Sequence, residues 1–160
     1  MNIKQPWLIM VCCLAFGLVV GVQAAESYGK QKVVYHINYD NPKQQAGALR
    51  NVQNHINAVG ADRIDVKVVM HGHGVSLLLY PDALSETPKM RQANADDAMQ
   101  AKVTNLKSQG VDFQVCANTL RGRKIRVDDH LYDVERSDVV PSGVAQISHL
   151  QSQGYTYLKP

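Results

Sequence analysis

The chain has 160 residues, of which 45% are hydrophobic and 19% are charged. This composition is ordinary for a globular protein, and the length suits one domain with its own hydrophobic core. The formal net charge of +3 is too small to indicate nucleic-acid binding, so no nucleic-acid partner is predicted.

An apolar run over residues 7–20 follows Lys4 near the amino terminus. The run is shorter than the roughly 20 apolar residues that a membrane-spanning helix needs. Residues 22–24, Val-Gln-Ala, supply the small side chains that a signal peptidase recognises. We therefore predict a cleaved signal peptide over residues 1–24 and a periplasmic or secreted domain over residues 25–160, with no stable membrane insertion. An uncleaved membrane anchor is the alternative.

Cleavage would remove Lys4, Cys12 and Cys13, which lowers the net charge to +2 and leaves Cys116 as the single thiol. Exported proteins usually pair their cysteines in disulfides. An unpaired thiol in that compartment is either buried and inert or reactive and kept for use, and both alternatives stay open here.

The first predicted elements form a strand–helix–strand unit. Residues 32–39 are rich in β-branched and aromatic side chains, which favours a strand. Asn41 and Pro42 are typical of a helix start, and Gly60 of its end. Residues 64–71 predict a second strand, parallel to the first and joined by a right-handed crossover.

The next stretch predicts two helices, a loop and a third strand. Residues 75–80 favour a short apolar helix that Pro81 ends, and residues 82–91 favour a loop. Residues 94–109 have the apolar spacing of a helix. Apolar and polar residues then alternate over residues 111–115, which predicts a short strand.

Cys116 follows that strand, at the sheet edge where ligands collect in open α/β folds. A polar connection over residues 121–138 leads to the last two predicted strands, residues 139–140 and 155–158. A helix that opens at residues 141–143 separates them. Its apolar residues should pack on the sheet; they are Val144, Ile147 and Leu150. Strands that alternate with helices predict an α/β fold with a parallel sheet covered on both faces.

Five segments stand out in this order: the first strand with its Asn-rich exit, His71-Gly72-His73-Gly74-Val75, Val115-Cys116-Ala117-Asn118-Thr119-Leu120, Val140-Pro141-Ser142-Gly143-Val144 and the closing Gly154–Pro160. Together they resemble the DsrE/DsrF-like family, in particular its exported members. The resemblance implies a three-layer α/β/α fold of flavodoxin or Rossmann type, with a sheet of about five parallel strands in which the last lies beside the first. It also implies homo-oligomers, commonly trimers or hexamers.

Better-studied members of this family carry sulfur as a cysteine persulfide and pass it between proteins. Cys116 occupies the position of the family's cysteine. The resemblance therefore implies a sulfur carrier or sulfurtransferase-like protein with a protein as possible sulfur donor or acceptor. Those relatives act in the cytoplasm, whereas this chain has a predicted export signal, so the donor and the acceptor stay open.

The residues after Cys116 fit thiol chemistry. The reactive form is the thiolate, and a free cysteine has a pKa of about 8.5. A helix that begins after Cys116 would direct the N–H groups of Asn118 and Thr119 at the sulfur, and Arg121 could reach an anionic persulfide. The alternative is a structural cysteine in the core, where free cysteine is often found.

His71 ends the second predicted strand and should lie near Cys116. It is a candidate to orient or deprotonate the thiol, or to hold an anion with the backbone amides around Gly72 and Gly74; a hydrogen-bonded turn histidine is the alternative. His73 would add a third potential metal ligand, but three ligands without a fourth indicate metal only weakly. No metal or cofactor is predicted.

The leading hypothesis is thus an exported sulfur carrier in which Cys116 and His71 act on the sulfur. The residues predicted to hold an anion or substrate are Gly72, Gly74, Asn118, Thr119 and Arg121. The alternatives are a non-catalytic periplasmic module that binds a small anion or metal ion, and an oligomeric structural protein with Cys116 in its core.

The first testable prediction concerns the amino terminus. Because residues 22–24 fit a signal peptidase site, the mature protein should begin at Ala25 or Glu26. Edman sequencing of the protein purified from a periplasmic extract checks this. Sequencing that returns Met1, or recovery with the membrane fraction alone, would contradict it.

Overall fold

The computed structural model describes residues 28–160, so the predicted signal peptide and its cleavage site lie outside the described residues. One sheet contains β1 (Gln31–Ile37), β2 (Ile64–Met70), β3 (Asp112–Cys116), β4 (Val139–Val140) and β5 (Thr156–Leu158). The strand order is β4-β3-β2-β1-β5, and every neighbouring pair is parallel. The predicted α/β fold is confirmed, and β5 lies beside β1 as the resemblance implied.

Five α-helices connect these strands: α1 (Pro42–Val59), α2 (Asp97–Ser108), α3 (Ala117–Arg123), α4 (Val127–His130) and α5 (Gly143–Ser152). Three 3-10 helices cover Gly72–Leu77, Pro81–Glu86 and Arg136–Asp138. In the described part of the chain, none of the helices has the length and apolar character that a membrane crossing requires.

Helix α1 begins and ends as predicted. The Asn41 side chain accepts a hydrogen bond from the Gln44 N–H at 3.0 Å and so caps the first turn. Gly60 follows the helix with φ of 97°, a conformation that side-chain-bearing residues rarely adopt. The local sequence therefore determines both ends of this crossover helix.

The two faces of the sheet are covered unequally. Helices α1 and α2 pack on one face against alternate residues of β1, including Val33, Tyr35 and Ile37. On the other face, α5 covers a smaller apolar cluster; its members are Val34, Val69, Ile147, Leu150 and Tyr155. Full burial of each such side chain stabilises the fold by about 1.5–3 kcal/mol. The three layers are thus present, and the α5 face is the thinner one.

The connection between β2 and α2 differs from the prediction. The helix expected over residues 75–80 is a 3-10 helix that ends at Leu77, because Leu79 forms an antiparallel bridge with Leu131 and needs an extended backbone. Pro81 begins a second 3-10 helix where a loop was expected, consistent with the fixed φ that suits proline to a first helical position.

Helix α2 begins at Asp97, three residues later than predicted. Asn94 is held outside the helix because its side-chain amide donates to the Gln45 Oε1 atom and the Asp40 carbonyl oxygen, both at 2.8 Å. The Asp96 carboxylate then caps the helix by accepting from the Met99 N–H.

Val144 also differs from the prediction that it packs on the sheet, since 66% of it is exposed at the start of α5.

Gly74 fixes the turn after β2 against the end of β1. A Cβ atom at Gly74 would lie 2.0 Å from the Ile37 carbonyl oxygen and 2.9 Å from the Asn38 Cα atom. Real Cβ atoms do not approach backbone so closely, so glycine is required here. This contact sets the position of the residues that leave β2, His71 included.

Gly74→Ala should therefore destabilise the protein by about 1–3 kcal/mol or more, the usual cost of overpacking a close contact. Gly47→Ala is the matched control: it lies inside α1, where a Cβ meets only the Arg50 guanidinium at 3.7 Å and alanine should stabilise by about 0.5–1 kcal/mol. Urea denaturation measures both, and equal stabilities for the two variants would contradict the steric account.

Candidate active site

Cys116 is the last residue of β3, at the carboxyl edge of the sheet, and only 5% of it is exposed. Met70 pairs with Val115 in the parallel register of β2 and β3. Extending that register by one residue places His71 beside Cys116. Both side chains lie on the α5 face, because side chains alternate between faces along a strand.

Gly143, the first residue of α5, fills the space between these two side chains. A Cβ atom at Gly143 would lie 3.0 Å from the His71 Cβ atom and 3.3 Å from the Cys116 Cβ atom. The absence of a side chain lets the amino terminus of α5 approach the sulfur. The Gly143 N–H at this terminus lowers the pKa of the Cys116 thiol.

Two opposing effects act on the Cys116 thiol. Burial raises its pKa, since a buried charge loses hydration. The N–H groups of Gly143, Thr119 and Asn118 and the Thr119 hydroxyl lower it, although the Cys116 side chain forms no capping hydrogen bond with α3. Together these groups outweigh burial, so the net pKa of Cys116 lies below its ordinary value. A lowered pKa increases the share of the thiolate, the nucleophilic form of cysteine.

Thr119 links the Cys116 sulfur to the turn after β2. Its Oγ1 atom accepts a hydrogen bond from the Gly72 N–H at 2.9 Å, and its hydroxyl lowers the pKa of the Cys116 thiol. Gly72 has φ of 58°, in the left-handed region that favours glycine. The Gly72 N–H, which follows the neighbouring strand β2, thus orients the Thr119 hydroxyl. The hydroxyl hydrogen stays available to the Cys116 sulfur.

His71 has a partner that the sequence analysis missed. The His71 Nε2 atom lies 2.7 Å from the His36 Nε2 atom, with the ring centroids 4.7 Å apart and the ring planes 25° from parallel. Burial and the nearby positive charge of Lys159 lower the pKa of His71. His36 lies on β1, and His71 follows β2. The pair could be predicted only by combining the adjacency of these strands with the face of the sheet on which His36 lies.

The other predicted site residues have different positions. Arg121 is exposed and donates to the Asn118 side chain, so Asn118 reaches the sulfur through its backbone N–H alone. The Gly74 N–H donates to the His71 carbonyl oxygen at 3.0 Å. The amides of Gly72 and Gly74 are therefore already bonded within the protein, and the structure does not bring Arg121 to the sulfur.

His73 points away from Cys116 and toward a charged cluster. Its Nδ1 atom lies 3.5 Å from the Asp40 carboxylate and 3.5 Å from the Arg123 guanidinium. Over residues 28–160 no group of three or more His, Cys, Asp or Glu side chains is arranged to hold a metal ion. His71, His73 and Cys116, the three potential metal ligands of the sequence analysis, are therefore not arranged around a common metal position.

Comparison with known proteins identifies relatives of this chain. A family model described as the DsrE/DsrF-like family matches residues 31–160. Among solved structures, the protein of unknown function MTH1491 from Methanobacterium thermoautotrophicum is 30% identical, with a TM-score of 0.65, and the match covers 82% of this chain and 100% of that one. The YchN protein of E. coli is 13% identical, with a TM-score of 0.56 over 82% of this chain and 99% of its own, which shows likeness of fold alone. No curated protein matches.

The Thr119 hydroxyl provides a test of how the thiolate is stabilised. Thr119→Val removes a donor to the sulfur, so the pKa of Cys116 should rise and alkylation by iodoacetamide at pH 7 should slow about fivefold, since such a hydrogen bond contributes about 1 kcal/mol. At a pH well above the pKa of Cys116 in both proteins, the alkylation rates of the wild type and Thr119→Val should converge. Thr119→Ser, which keeps the hydroxyl, should react like the wild type. Identical pH profiles for the valine and serine variants would rule out this role for Thr119.

Proposed function

The chain belongs to the DsrE/DsrF-like family, and on this premise we propose that it is a sulfur carrier of the sulfurtransferase type that holds sulfur as a persulfide on Cys116. The observation that carries the proposal is the setting of the one cysteine within residues 28–160, at the carboxyl edge of β3. Gly143 approaches its Cβ atom closely, and polar groups at the start of α3 and α5 lower its pKa. An inert core cysteine has no need of such polar surroundings, whereas a thiolate does.

The proposed reaction is attack of the Cys116 thiolate on a sulfane sulfur, such as the outer sulfur of thiosulfate. A new S–S bond forms on Cys116 while the S–S bond of thiosulfate breaks, and sulfite leaves with the bonding electron pair. The charges balance and no further oxidant is needed. An acceptor thiolate would remove the outer sulfur by the same kind of exchange and regenerate the Cys116 thiolate.

The surrounding groups have distinct tasks in this scheme. The N–H groups of Gly143, Asn118 and Thr119 stabilise negative charge on the sulfur before attack. His71, beside Cys116, takes the thiol proton and returns it when the site is protonated again. Non-covalent binding of an anion has less support, because the Gly72 and Gly74 amides already have partners within the protein.

Export is part of the proposal, since it rests on residues 1–24. A carrier outside the cytoplasm needs a donor and an acceptor in the same compartment. Cys116 is only 5% exposed, which favours a small inorganic donor or a persulfide on a flexible segment over a bulky, rigid one.

Sulfur loading tests the proposed function directly. The wild type should gain the mass of one sulfur atom on incubation with thiosulfate or polysulfide, and Cys116→Ser should gain none while keeping its fold, because serine is nearly isosteric. His71→Ala should load more slowly, whereas His149→Ala, which changes an exposed histidine of α5, should load normally. Intact-protein mass spectrometry measures the gain of sulfur, and circular dichroism checks that each variant keeps its fold. Equal loading of wild type and Cys116→Ser in the processed protein would leave the thiol without a role.

Assembly is a second expectation from the family. The domain of residues 25–160 should form a trimer or hexamer at micromolar concentration. Multi-angle light scattering after size exclusion measures the molar mass. A mass that corresponds to a single chain at all concentrations tested would contradict this.

A further inference from the structure

Beyond the Cys116–His71 pair, a chain of polar contacts continues across the edge of the sheet. The His36 Nε2 atom lies 2.7 Å from the His71 Nε2 atom, and the His36 Nδ1 atom lies 2.8 Å from the Tyr157 hydroxyl oxygen. His36 is 8% exposed on β1, and Tyr157 is 38% exposed on β5. These contacts use both ring nitrogens of His36.

The short Nε2–Nε2 distance limits how many protons the two histidines hold. Two nitrogens 2.7 Å apart share one hydrogen, so one ring donates and the other accepts. Two N–H groups directed at each other would clash at this distance. The pair therefore binds at most one proton beyond its neutral state.

We propose that His36 and Tyr157 are positioning residues that fix the tautomer of His71, so that His71 donates from Nε2 and keeps Nδ1 free to accept the Cys116 proton. In this arrangement His71 donates to His36, and His36 donates from Nδ1 to the Tyr157 oxygen. Within residues 28–160, the hydrogen bonds of the His71 ring use Nε2 and leave Nδ1 without a partner. The inference rests on the proposed function, in which Cys116 is the nucleophile.

In the proposed function the thiol proton passes to His71, and every bond in that step is accounted for. When Cys116 ionises, its S–H bond breaks and an N–H bond forms at the His71 Nδ1 atom. The products are a thiolate and an imidazolium whose second N–H is already bonded to His36. The arrangement parallels enzymes in which a third group orients the base that activates a nucleophile.

Burial and nearby positive charge disfavour protonation of the histidine pair. Burial, followed by the charges of His71 and Lys159, lowers the pKa of His36 to about 4. Burial and Lys159 also lower the pKa of His71. The uncharged Gly143 is the contact from α5, and Tyr157 is the neighbour from β5.

Ring ¹⁵N chemical shifts of His71, measured on the full-length protein as expressed and processed, test the tautomer without sulfur chemistry. The wild type should show a protonated Nε2 and a bare Nδ1 at pH 7. His36→Phe, which keeps a ring but no nitrogen, should give averaged shifts and slow sulfur loading at pH 7 about tenfold. Tyr157→Phe should act in the same direction with a smaller effect. The matched control is Tyr155→Phe, which removes a hydroxyl bonded to Asp65 on the same face and should change neither readout.

The outcomes separate the two proposals. A bare Nε2 in the wild type, or a His36→Phe variant with unchanged His71 shifts and an unchanged pH profile of loading, would overturn the positioning role. If the wild type takes up no sulfur but His36→Phe still releases the His71 tautomer, the positioning role stands and the sulfur-carrier function fails. If His36→Phe does not fold, Tyr157→Phe, which changes a more exposed side chain, tests the positioning role through the same His71 ring ¹⁵N shifts.

Discussion

Stabilisation of negative charge on a buried sulfur is the interaction on which the rest of the site depends. Burial raises the pKa of Cys116, and the polar groups of α3 and α5 lower it by more. These groups come from two helices: Asn118 and Thr119 from the helix after β3, and Gly143 from the helix after β4. The lowered pKa thus depends on two adjacent strands and the helices that follow them.

The strand order arranges the remaining groups in a row. From β4 to β5 across the carboxyl edge, the contributions are Gly143, Cys116, His71, His36 and Tyr157, one from each strand or from the residues just after it. Gly143 packs against both Cys116 and His71, and hydrogen bonds join His71 to His36 and His36 to Tyr157. A parallel sheet with all its carboxyl ends at one edge makes this row possible, and Gly74 fixes the β2 exit within it.

The parts of the fold that local sequence determines could be predicted. The Asn41 cap, the Gly60 stop and the strand that ends at Cys116 depend on neighbouring residues, and the structure has all three. His36 was missed because its significance arises only when β1 lies between β2 and β5. The start of α2 was misplaced because Asn94 is held by a buried hydrogen bond to Gln45, 49 residues away in sequence. Such contacts leave no periodic pattern in the chain.

Whether Cys116 is a stabilised thiolate or an inert core cysteine decides the role of the site. Ultraviolet absorbance of the thiolate against pH, taken as the difference between the folded wild type and Cys116→Ser, distinguishes the two. If the polar groups of α3 and α5 stabilise the thiolate, the midpoint of the titration should lie below the pKa of about 8.5 of a free cysteine. A midpoint above that value, with the ordinary value restored on denaturation, would show a buried neutral thiol without a carrier role.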